Sequence, residues 1–253
     1  MAISFVGTRF LWLSGSTSVG GSLDLTLLTQ GSDTAARTDD LVIVAYSTGA
    51  TADRTLAITN SSAVDYTLID SELYSNDVED TNLRVAYRFM PNPAETEVLL
   101  GPTGNASEEG VAHVMVFRGV DLVTPLDVAA VPATGVDTRY PDPAAITPVT
   151  TGAWVYVVGA GAQRNGFGSQ YTTGLTPNLT TVNHGIHVAA IGAGYVMWTG
   201  GAYNPNAFTG GFGGSVDESW AAMTVALRPS ALVVASPTKY VVRSAMRWPA
   251  RIT

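Results

Sequence analysis

Leu41-Val-Ile-Val-Ala-Tyr46, directly after Asp39-Asp40, is a continuous run dominated by β-branched residues. It is too short for a buried helix and suits a strand covered on both faces. Leu83-Arg-Val-Ala-Tyr-Arg-Phe-Met90 alternates instead, with Leu83, Val85, Tyr87 and Phe89 set against Arg84, Ala86, Arg88 and Met90. Ser22–Leu28 alternates too: Leu23, Leu25 and Leu27 fall between Ser22, Asp24 and Thr26. Val111–Arg118, Trp154–Val158 and Trp220–Leu227 add further strand-like runs, and Ile186–Trp198, broken by Gly192 and Gly194, predicts a bulged strand or two strands with a tight turn. Turn-rich segments rich in Gly, Pro and Asn separate these runs, and no helical period of 10–15 residues appears. The sequence therefore predicts an all-β fold: an antiparallel two-sheet β-sandwich over residues 1–228 with long loops, followed by an extended C-terminal arm at 229–253.

Composition agrees. The 253 residues are 46% hydrophobic and only 13% charged, with 26 Gly and a high count of Thr. Strong helix formers are scarce, which argues against a bundle, a coiled coil or a disordered acidic chain. There is no cysteine, so disulfides and thiolate metal sites are excluded. The net charge of −8 is unevenly placed: residues 229–253 carry Lys239, Arg243, Arg247 and Arg251 and no acid, and the rest of the chain carries the balance of −12. Such a body repels nucleic acid and anionic membrane, and no apolar run is long enough for membrane insertion. Met1–Gly15 lacks a basic n-region, and Arg9 interrupts it, so no signal peptide is expected.

Candidate chemistry is thin. His184-Gly-Ile-His187 has a metal-like spacing, but on a strand positions three apart face opposite ways, and His113 reads as a hydrogen-bonded sheet histidine. The Asp77–Asp80 cluster lacks a calcium-loop pattern, so no metal and no cofactor is expected. No nucleophile elbow is present, and Gly210–Gly214 lacks the lysine of a phosphate loop. Hence no catalytic residue is assigned. Aromatics in polar loops are the better candidates for contact: Tyr171, Tyr203, Phe208 and Phe212, set among Asn, Gly, Ser and Thr, have the chemistry that grips sugars or a protein partner. The alternative reading is a carbohydrate-binding or glycan-cleaving protein that uses Asp217 and Glu218 with Tyr203 and Phe212. Lys239, Arg243, Arg247 and Arg251 are the candidate assembly residues of the arm.

Three phrases taken together carry a resemblance. Phe117-Arg-Gly-Val-Asp121 with Thr124-Pro-Leu-Asp127, Gly152-Ala-Trp-Val-Tyr-Val-Val158, and Glu218–Pro229 follow the opening Ile3-Ser-Phe-Val-Gly7 in an order that resembles a jelly-roll module of tailed-phage and gene-transfer-agent virion proteins. The resemblance implies a non-enzymatic structural role as a surface head spike, decoration subunit or tail component. It also implies residence in the virion after synthesis in the host cytoplasm, association with copies of itself in a trimer, and contact with other virion proteins and host surface glycan.

Overall fold

The computed structural model describes residues 2–13, 20–50, 52–77, 79–104, 108–136, 140–163, 174–181, 188–208 and 219–231. Among them there is no helix, and every paired strand is antiparallel. The first large sheet runs β1 (Ser4–Leu13), β9 (Glu109–Arg118), β3 (Leu41–Ala50), β7 (Asp80–Phe89), then β5 (Thr67–Leu68), with β6 (Leu73–Ser75) also on β7. The second large sheet runs β10 (Val131–Gly135), β14 (Trp220–Leu227), β11 (Trp154–Gln163), β13 (Val188–Met197), β12 (Thr176–Thr181). A third sheet of three short strands, β2 (Gly21–Asp24), β8 (Glu97–Leu100) and β4 (Ile58–Thr59), lies outside the first.

The expected sandwich is therefore present, with a layer added on each side. The first sheet is central. Leu41, Ile43 and Ala45 of β3 point into a core shared with Tyr156, Val158, Ile191, Met223 and Val225 of the second sheet. Val42, Val44 and Tyr46 point the other way, onto Leu23, Ile58, Val98 and Leu100. All ten residues of β3 are buried, which is why its sequence shows no alternation. β7 alternates because its cations are needed at the rim: Arg84 reaches Glu72 at 3.5 Å and Arg88 reaches Glu95 at 2.9 Å. The outer face of the second sheet is covered by two irregular segments, 140–150 and 198–208, which bridge each other at Ile146 and Tyr203. Their Ile146 and Phe208 join Val155, Val157 and Ala226 in a third, smaller core. The proline-rich and glycine-rich loops are, to this extent, a wall of the structure.

Two sequence expectations need correction. The Ser22–Leu28 strand stops at Asp24, whose carboxylate accepts from the Thr26 main-chain N–H at 2.7 Å and its hydroxyl at 2.6 Å, turning the chain. Leu23 and Leu25 are buried as the alternation implies, but Leu27 is left exposed. Within Ile186–Trp198 the described residues Val188–Met197 form one strand, β13, in unbroken register with β11, where Gly192 faces Gly159; the irregularity lies on its other side, in the pairing with β12 between Thr176 and Leu179. A side chain at Gly159 would come within 2.7 Å of the Phe208 ring, so packing, not a turn, explains the glycine there.

Candidate functional site

The strands give the sandwich two unlike ends. At one, Leu41, Phe89, Phe117, Trp154 and Leu227 meet; at the other, Ala50, Asp80, Glu109, Gln163 and Trp220 meet. The three phrases noted in the sequence converge at the first end. After β9 the chain turns at Gly119, with φ of +84° and a Cβ position only 2.4 Å from the Ala2 carbonyl oxygen, so only glycine fits. Asp121 then accepts from the main-chain N–H groups of Val123 and Thr124, both at 2.9 Å, closing the turn; these bonds hold its carboxyl below the usual range. Asp127 has no exposed side-chain surface. It accepts from Val149 N–H at 2.6 Å, Thr150 N–H at 3.0 Å and Arg228 Nε at 3.3 Å. Burial pushes that carboxyl up, but the hydrogen bonds from Thr150 and Val149 and the Arg228 charge outweigh it and leave it lowered. Main-chain bonds from Asp121 to Arg228, from Arg228 to Pro125 and from Ser230 to Gly119 complete a knot that fixes where the chain leaves at Ala231.

Beside the knot, Asp40 is buried and accepts both arms of Arg118, at 2.7 and 2.8 Å, plus the Arg37 N–H at 2.8 Å. Two open clefts flank these groups. One, of about 450 Å³, is lined by Ile3, Gly152, Trp154, Met197, Pro229 and Ala231. The other, of about 300 Å³, runs over Thr38–Asp40, Arg118–Val120 and Leu122. Leu122, Val123, Val149 and Met197 are all exposed around them. The ionisable groups here are largely committed to one another, and the free surface is apolar.

The opposite end is polar. Glu79, Asp80, Glu108 and Glu109 are buried there. Arg54 forks onto Glu108, and Tyr74 donates to Asp80 at 2.7 Å. Thr81 accepts from Ala162 N–H and donates to the Ser219 carbonyl, both at 2.8 Å, which ties the two large sheets together. Among the described residues no cluster of His, Asp and Glu is arranged to hold a metal.

Of the four loop aromatics, Phe208 is corrected: it is fully buried under Gly159 and Pro141 and is a core residue. Tyr203 is half-buried in the same layer, where burial raises its phenol pKa. Tyr171 and Phe212 lie outside the described residues, as do His184, His187, Asp217 and Glu218, and so do Lys239, Arg243, Arg247 and Arg251. His113 is the sheet histidine expected: it is buried, Thr8 Oγ1 lies 3.0 Å from Nε2, and burial lowers its pKa to about 4. The sequence reading missed the outward residues of β1. Phe10 and Trp12 are 59% and 44% exposed on an edge strand. The signal for them was large aromatics at alternate positions beside Arg9.

Comparison with protein-family models, with curated proteins and with solved structures finds no match.

Proposed function

We propose that this chain is a non-enzymatic structural protein of a tailed-phage-type particle, a jelly-roll-like surface spike, decoration subunit or tail component that is seated by one end of its sandwich. The observation that carries this reading is the asymmetry of the two ends. Exposed Leu122, Val123, Val149 and Met197 gather where the chain runs into its cationic segment, and the neighbouring carboxylates are spent on holding that exit in place. Exposed apolar surface rimmed by polar groups is the usual mark of a contact face. The reading agrees with the sequence resemblance and uses residues of the same phrases: Gly119, Asp121, Asp127 and Arg228 build the knot at the seated end, and Gly152 and Trp154 line the cleft beside it.

The test is to purify particles from a producing culture and look for the chain by cryo-electron microscopy and quantitative mass spectrometry. A fixed stoichiometry in the particle supports the proposal, with Val123 and Met197 facing a neighbour. Chain recovered only from the soluble fraction would sink it. Replacing Leu122 and Val123 by Asp should abolish incorporation without unfolding the sandwich. A glycan array on the purified protein separates host-glycan contact from a purely cementing role.

A further inference from the structure

The inner face of β1 is held firmly at its start and loosely at its end. Phe5 is buried there against Phe117 and Tyr195, and Thr8 is buried after it. Beyond them the same face carries Phe10 and Trp12, in register with His113 and Val111 and both exposed. Thr8 is therefore the last described side chain of β1 to be buried on this face, and its hydroxyl meets the His113 ring.

The hydrogen bonds fix the tautomer of that histidine. Thr8 Oγ1 lies 2.6 Å from the Val114 carbonyl oxygen and 3.0 Å from His113 Nε2. A hydroxyl has one proton to give. Were it given to Nε2, two oxygens would face each other at 2.6 Å with no proton between them. Thr8 therefore donates to Val114, and His113 donates its Nε2–H to Thr8. Nδ1 is left with a bare lone pair, buried and without a hydrogen-bond partner. Acid puts its proton on that atom. The resulting imidazolium has two N–H donors and one acceptor, in the layer between the sheets.

Among the described residues no charge stands ready to receive it. On the inner faces of β1, β3, β9, β11 and β13 the titratable groups besides His113 are Tyr156, Tyr195 and Glu109. Burial keeps both phenols protonated. Glu109 stands four residues along β9, about 13 Å away at the polar end. Arg9 turns to the opposite face of β1. Burial alone acts on the ring and lowers its pKa to about 4. Freeing the end of β1 brings the ring to water and loses only the packing of Leu11 and Leu13 on Gly21. Parting β9 from the second sheet would open the main core instead. We infer that His113 is an acid-operated latch, whose protonation releases residues 8–13 of β1 from β9 while the two large sheets stay packed.

Amide hydrogen exchange followed by NMR in the full wild-type chain tests this. The Thr8 N–H goes to Thr29, so by alternation those of Arg9 and Leu11 point at β9. If their opening frees a ring of ordinary pKa near 6.5, the open population at pH 5 should be about 30-fold that at pH 7.5, after correction for intrinsic exchange. That opening should have a small fraction of the urea dependence shown by the Ile43 and Val44 amides of the central strand. A long-range nitrogen spectrum at neutral pH should show Nε2 protonated and Nδ1 bare. His113→Gln keeps a donor for Thr8 and takes up no proton, so it should abolish the rise. A rise of less than about threefold in the wild type, or an Nδ1–H tautomer at neutral pH, overturns the inference. Arg9 and Leu11 amides with the same protection and urea dependence as Ile43 and Val44 overturn it as well, because β1 would then open only with the whole sandwich.

Discussion

Asp127→Ala tests the knot that holds the seated end together. The substitution removes the acceptor for two main-chain N–H groups, at 2.6 and 3.0 Å, and for Arg228 Nε at 3.3 Å. Hydrogen bonds to a charged group contribute about 1.5–3 kcal/mol each. Val149 and Arg228 are partly exposed and regain some water, so the expected loss is about 3–5 kcal/mol for the set. For a domain of this size 1 kcal/mol moves Tm by about 2–4 °C, so Tm should fall by about 6–20 °C in a differential scanning experiment. Asp127→Asn keeps one acceptor oxygen and should lose less. The pH dependence has a definite sign. The folded carboxyl is lowered, so its stabilisation is full above the unfolded value of about 3.9 and disappears as pH falls through the folded value. Asp127→Asn should therefore flatten part of the acid limb of the wild-type stability curve. A fall in Tm of less than about 2 °C in Asp127→Ala, a change of about 0.5–1 kcal/mol at most, would refute the argument.

Further outcomes follow from the same geometry. Gly119→Ala forces a side chain toward the Ala2 carbonyl at a positive φ and should cost about 1–3 kcal/mol in urea unfolding. Phe117→Ala removes a ring that meets Phe5, Trp154, Tyr156 and Tyr195 and should cost about 3–5 kcal/mol by the same assay. The His113 ring, with its pKa lowered by burial to about 4, favours the neutral form in the folded state. Stability should therefore be full above about pH 6.5 and decline toward pH 4, a slope that His113→Gln removes; an NMR titration showing His113 protonating near 6.5 would contradict this.

How much of this was legible beforehand depends on range. Strand content was open to reading because alternation in Leu83–Met90 and its absence in Leu41–Tyr46 are local consequences of which faces are buried. The turn at Gly119-Val120-Asp121 was legible for the same reason: glycine and aspartate act within a few residues. Phe208 was misread because its burial depends on Gly159 and Pro141, distant in sequence, and a flank of Asn and Gly looks the same whether a loop is free or laid on a sheet. The third sheet was missed because β2 was read without its partners: β4 has only two residues and β8 only four. The exposure of Phe10 and Trp12 could not be found from pattern alone, since an edge strand and an inner strand share a period and differ only in their neighbours.

The allocation of the chain among the sheets has a consequence for biosynthesis. Everything in the central sheet is made by Arg118, whereas the sheet that covers its apolar face is completed only when β14, an inner strand, has been made through Leu227. At about 5–20 residues per second a ribosome needs on the order of 5–20 s to cross that interval. For that time a nascent chain presents Leu41, Ile43, Val85 and Met115 with no covering layer. Synonymous codons that slow translation between β9 and β14 should therefore lower the soluble yield more than the same pauses placed before β3.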